Sequence, residues 1–245
     1  MSDVILYDWP FLGLALGVLG LAALVAWPRR RPGSRWRDPE WLVCLTLPVY
    51  MIHQFEEHGF DLMGRRYHFL AAMCAMLGHP DLAHCPADPA FILAVNVGGG
   101  VWIPGLIAIA LRRKNVAVGA CTVGIPLINI LAHVGPAIFF GSYNPGLATA
   151  LLLFVPFCGW TLTQLWRAGV LDGKGLAAVI ATGVALHGIL IASVFAHGSG
   201  LLPEAPFLGV NVVDGCLPLV IARLVFRDES GPRGAFSAGG NRATL

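Results

Sequence analysis

Long apolar runs separated by short polar links dominate this chain. Seven segments are apolar over enough residues to cross, or nearly cross, a hydrocarbon core of roughly 30 Å, which takes about 20 helical residues. They run from Pro10 to Trp27, Trp41 to His58, Ala90 to Leu111, Val116 to Phe140, Leu147 to Trp166, Gly175 to His197 and Ala205 to Phe226. The pattern predicts an all-α, multi-pass transmembrane helix bundle of about seven spans. The second and seventh segments are the weakest by hydropathy because each holds ionisable residues, so six spans with one re-entrant piece is the alternative. Prolines inside the spans (Pro48, Pro104, Pro126, Pro136, Pro156 and Pro218) predict kinks, which neighbouring helices absorb in a membrane.

Composition agrees with the pattern. Of 245 residues, 56% are hydrophobic and only 12% charged, with a mean hydropathy of +0.71. A soluble domain carries about twice that share of charge, so lipid is the expected solvent and the expected partner, and no nucleic-acid partner is expected. A single helical domain over residues 1–226 is followed by a tail, 227–245, rich in Gly, Ser and charge and expected to be disordered. No internal repeat and no phosphate-binding glycine motif is visible. Gly98-Gly99-Gly100 lies inside a span, where small residues permit close helix packing.

The sign of the loop charges sets the expected orientation. With the N-terminus outside and seven alternating spans, the inner loops and tail hold Arg29, Arg30, Arg31, Arg35, Arg37, Arg112, Arg113, Lys114, Arg167, Lys174, Arg223, Arg227, Arg233 and Arg242, and only Arg65 and Arg66 lie outside. The C-terminus is then cytoplasmic, and a bacterial cytoplasmic membrane is the expected location. The first apolar run is preceded by Asp3 and Asp8 and followed by the basic run at Arg29, the reverse of a secretory signal.

The longest link, Gly59 to Pro89, is placed outside. Its apolar middle, Tyr67 to Leu77, is too short to span and is expected at the interface or folded back over the bundle. Cys74 and Cys85 share this link and could form a disulfide in an oxidising compartment. His68, His79 and His84 lie there too, but no spacing matches a zinc-ligand pattern, and a solvated lid is the simpler reading.

The candidate chemistry is at the end of the second span, in Tyr50-Met51-Ile52-His53-Gln54-Phe55-Glu56-Glu57-His58. On a helix, His53, Glu56 and Glu57 stand three and four residues apart and share a face. An acidic group at mid-membrane costs about 2.5–3.5 kcal/mol on insertion scales, so a metal, a partner, protonation or water must offset it. One of Glu56 and Glu57 is expected to sit solvated at the headgroup boundary. Helical rise places His53 about 18 Å and Glu57 about 24 Å above the inner surface, with Asn129 about 20 Å and His133 about 26 Å up the fourth span. His187, Asn96 and Asp214 fall in the same outer-half layer. Taken singly, His187 reads as a core histidine bonded to a backbone carbonyl, Asn96 and Asn129 as interhelical hydrogen-bond links, Asp214 as a structural partner of a neighbouring histidine, and Tyr50 and Trp102 as packing residues. The joint signal is His53, Glu56 and Glu57 facing Asn129 and His133.

His53-Gln54-Phe55-Glu56-Glu57, followed by the Asn96-bearing third span and the Asn129–His133 pair, resembles the H-x-x-E-E motif of the HXXEE-domain membrane proteins, from the second span onward. The resemblance implies a multi-pass bundle with a metal site and says little about the reaction.

Imidazole and carboxylate together suit zinc first, and also iron or manganese. His53, Glu57 and His133 are the candidate ligands of a divalent metal ion. Glu56 is the candidate general base or outer-layer acid, and Asn129 the candidate group for orienting a ligand or substrate, with His187 and Asp214 in outer positions. A site in the outer half of a bilayer suggests a lipid-like small-molecule substrate and a hydrolytic, metal-dependent enzyme. The alternative is a proton- or metal-ion-coupled transporter, since intramembrane His, Glu and Asp also relay ions.

Overall fold

The computed structural model describes residues 3–28 and 33–226. Arg29, Arg30, Arg31 and the expected disordered tail at 227–245 lie outside the described residues. The chain is all-helical, with no strand among the described residues. Helix α1 covers Asp3–Ala26 and α2 covers Thr46–His58, the latter led in by a short helix at Pro39–Leu42 and a 3₁₀ turn at Val43–Leu45. A short helix, α3, follows at His68–Met76. Five long helices complete the bundle: α4 Pro89–Leu111, α5 Val116–Phe140, α6 Leu147–Arg167, α7 Gly173–Gly198 and α8 Glu204–Val225.

Six of these helices are long and apolar enough to cross a membrane: α1 and α4 to α8. The expected second span is not among them. Its polar run lowers its hydropathy, and α2 occupies the interior, with ten of its 13 residues buried. The weak seventh segment does qualify, as α8.

Close helix approaches seat α2 at the centre. A Cβ added to Gly17 of α1 would lie 3.0 Å from both Met51 Cβ and the Pro48 carbonyl, so glycine lets α1 lie directly against α2. On the far side, α5 and α7 cross at Gly124 and Gly183, where a Cβ on either would run into the other helix's backbone.

Two helices depart from α geometry where they pass the centre. In α4 the segment Ala94–Gly100 is π-helical, and in α6 so is Ala150–Phe154. Wide turns of this kind free carbonyls and re-aim side chains, and they concentrate at functional sites. The first carries Asn96 and the second follows Thr149, and both residues bond to α2 side chains, as described below.

Helix α3 folds back over the bundle, as the apolar middle of the long link suggests. It is tied down by a disulfide between Cys74 and Cys85. Thiol labelling of the unfolded, unreduced protein is therefore expected to count four cysteines, with all six appearing only after reduction. Six without reductant would remove the bridge.

Candidate functional site

Glu57 lies at the centre of the bundle, and three imidazoles surround its carboxylate. His133 Nε2 stands 2.9 Å from Oε1, and the Nε2 atoms of His53 and His58 each stand 3.4 Å from Oε2. All four residues are at most 4% exposed. His53, Glu57 and His133 each offer one ligand atom within 4.8 Å of the others, and they are the one such group of three among the described residues. The His53 and His133 rings are 5.1 Å apart, and Phe154 packs 4.2 Å from His53.

Hydrogen bonding fixes the tautomers. Asn144 Nδ2 donates to the His133 carbonyl at 2.9 Å, so its Oδ1 must accept from His133 Nδ1, also at 2.9 Å. In the neutral His133 ring the proton is then on Nδ1 and the lone pair on Nε2. His53 is set the same way at one remove. The Thr149 hydroxyl donates to Glu56 Oε2 and therefore accepts from His53 Nδ1 at 2.7 Å. Both Nε2 lone pairs are thus turned toward Glu57. Neither Nε2 makes an aligned hydrogen bond, although His133 Nε2 is only 2.9 Å from the carboxylate. Short distance without alignment is what converging acceptors give.

His58 differs. Trp102 Nε1 donates to Gln54 Oε1 at 2.7 Å, Gln54 Nε2 donates to Asn96 Oδ1 at 3.0 Å, and Asn96 Nδ2 donates to His58 Nε2 at 3.2 Å. This one-way chain occupies the His58 lone pair, so His58 closes the site rather than completing it. The sequence reading gave His58 no role, and Trp102, read as a packing residue, starts the chain.

Glu56 is turned away from the three ligand atoms. Its Oε1 accepts from Tyr143 Oη at 2.8 Å and Ala148 N at 3.2 Å, and its Oε2 from Thr149 N at 2.6 Å and the Thr149 hydroxyl. Four donors satisfy it as a carboxylate. In the Tyr143 loop, burial and the neighbouring Glu56 hold the phenol above its ordinary pKa, so it stays a donor. Neither Glu56 nor Glu57 sits solvated at a headgroup boundary, contrary to the sequence expectation: they are 5% and 4% exposed. The reason is the return of residues 143–149 over the end of α2, which supplies the donors water would have given.

Asn129 lies beside Glu57 on a cavity of about 180 Å³, with its Nδ2 toward Tyr50 Oη at 3.4 Å and its Oδ1 unpartnered. The same cavity is lined by Asn96, His133, His187 and Asp214, so the polar layer inferred from helical rise, His53 excepted, faces one space. His187 Nδ1 donates to the Gly183 carbonyl at 2.8 Å, the bond expected of it. Asp214 forms no ion pair among the described residues, where a neighbouring histidine was the expected partner. Thr149, Asn144, Tyr143 and Gly146 were missed, and the only signal was the turn-forming Asn144-Pro145-Gly146.

Residues 44–161 match the family model described as a protein of unknown function with HXXEE motif. They are an HXXEE domain. The domain holds α2, the two π segments, His133 and the loop that carries Asn144 and Thr149. It ends before α7 and α8, a narrower extent than the resemblance suggested, so His187 and Asp214 come from outside it. Helix α1 also lies outside. No curated protein and no solved structure matched the chain.

Proposed function

We propose that the HXXEE domain holds a divalent metal ion, zinc being best suited, and that the chain is a membrane-embedded hydrolase of a lipid-like substrate. The supporting observation is the convergence of three acceptors, His53 Nε2, His133 Nε2 and a Glu57 oxygen, in a buried site where both histidines have their Nδ1 protons committed elsewhere. Three acceptors turned on one another repel unless a cation or a shared proton lies between them. Two imidazoles and a carboxylate form the donor set of catalytic zinc sites, which keep a fourth position open. The ion would supply Lewis acidity toward an ester, amide or phosphoester.

The chain's own groups have separable parts in this proposal. Asn144 and the Glu56–Thr149 pair hold the two imidazoles at fixed angle and protonation, the outer support that metal-binding histidines commonly have. Glu56 thus acts as a positioning residue through Thr149. Asn129 Oδ1, free and beside Glu57, would orient the substrate. Phe69, Met73 and Met76 form an apolar cavity wall suited to a hydrocarbon chain. Seven crossings with the N-terminus outside fit this picture, because the disulfide-bearing link then faces an oxidising compartment.

Elemental analysis of the detergent-purified protein tests the reading. About one divalent ion per chain is expected in the wild type, and much less in His53→Ala and in His133→Ala. No metal in the wild type, together with pH-dependent ion flux in proteoliposomes, would replace the enzyme by a transporter.

A further inference from the structure

The cavity wall contributed from outside the HXXEE domain carries a second chemical instruction. Asp214 stands at a 3₁₀ break in α8, Asp214–Cys216, and lines the cavity at 8% exposure. Its Oδ1 has no hydrogen-bond partner and packs so closely on Gly99 that a Cβ there would strike it. No Lys or Arg lines this cavity. His187 has its proton on Nδ1, committed to the Gly183 carbonyl, which leaves Nε2 as an acceptor. Asn129 adds a further unpartnered oxygen. A buried carboxylate with no counter-charge is costly in a membrane protein and marks a binding pathway by default. Asp214, His187 Nε2 and, across from them, Asn129 Oδ1 are acceptors, so the complementary ligand is a donor.

We propose that the cavity binds the protonated primary amine of an amphiphile, with the ammonium facing Asp214, His187 and Asn129 and the hydrocarbon chain along Phe69, Met73, Met76, Leu190 and Ile191. An ammonium brings three donors and one positive charge, which matches the acceptors and the unpaired carboxylate. A carboxylate headgroup would face Asp214 with like charge, and an alcohol would leave the charge uncompensated. The inference rests on the cavity being the substrate site and adds the class of headgroup.

Native mass spectrometry of the detergent-purified protein, titrated with octylamine, octanol and octanoic acid, tests it. Octylamine is expected to bind about tenfold or more tightly than the other two, the scale of one hydrogen-bonded charge pair. Asp214→Asn is expected to reduce octylamine to the level of octanol. The amine preference is expected in wild type both with and without chelator, which separates this inference from the metal reading. Equal binding of all three probes in the wild type, or octanoic acid binding best, overturns it even if Asp214→Asn does not fold. An amine preference that survives in a folded Asp214→Asn protein overturns it as well.

Discussion

Glu57→Gln is expected to lower affinity for the divalent ion by at least about 100-fold, more than the loss of an outer-layer partner would cost, while stabilising the metal-free protein. The two effects have opposite sign because they come from one charge. With the ion present, the carboxylate supplies the only negative ligand, and an amide is a poor substitute. Without it, the carboxylate faces two imidazole lone pairs inside a site at most 4% exposed. An amide of the same shape brings donors to those lone pairs, and an uncompensated buried charge costs about 3–5 kcal/mol. Thermal unfolding in detergent, with metal and with chelator, reads both effects. A variant less stable than wild type in chelator would show that Glu57 is held by something other than a cation.

Gly146→Ala is expected to destabilise the protein by about 2–4 kcal/mol and to remove the bound ion, although Gly146 is neither a ligand nor part of the motif. The residue has φ of +93°, a conformation that a side chain resists. A Cβ there would also fall on His133 Cε1 and lie 2.7 Å from Glu57 Cγ, and overpacking a filled site costs about 1–3 kcal/mol by itself. Gly135→Ala, on α5 just past His133, is the control. Nothing lies within 4 Å of its Cβ position, and a helical Gly→Ala change gains up to about 1 kcal/mol. Metal content and urea unfolding of the two variants should separate clearly. Equal behaviour would mean that the 143–149 loop does not seat against the ligands.

The contrast between Gly146 and the motif shows what was legible in the sequence. Helical periodicity alone puts His53 and Glu57 on one face, and counting turns puts His133 and Asn129 at the same depth. Both inferences need only the rise of a helix. The parts that were not legible depend on the chain returning. Thr149 and Asn144 reach the histidines only because the residues after Phe140 fold back over the end of α2, and no periodicity encodes that path. The same return explains why both Glu56 and Glu57 are buried. The π segment at Ala94–Gly100 shifts the register of α4, so the place of Asn96 could be estimated to a layer but not to a partner. Hydropathy also ranked α2 correctly as weak, since a helix with this much polar character lies inside the bundle and away from lipid.

One divalent ion is expected between helices α2 and α5, held by His53, Glu57 and His133. X-ray absorption at the edge of the co-purified metal measures this directly. Two imidazole nitrogens and carboxylate oxygen at about 2.0–2.2 Å are expected, with one imidazole lost in His53→Ala and one in His133→Ala. A sulfur-rich shell, or a shell unchanged in either variant, would place the metal elsewhere and contradict the account.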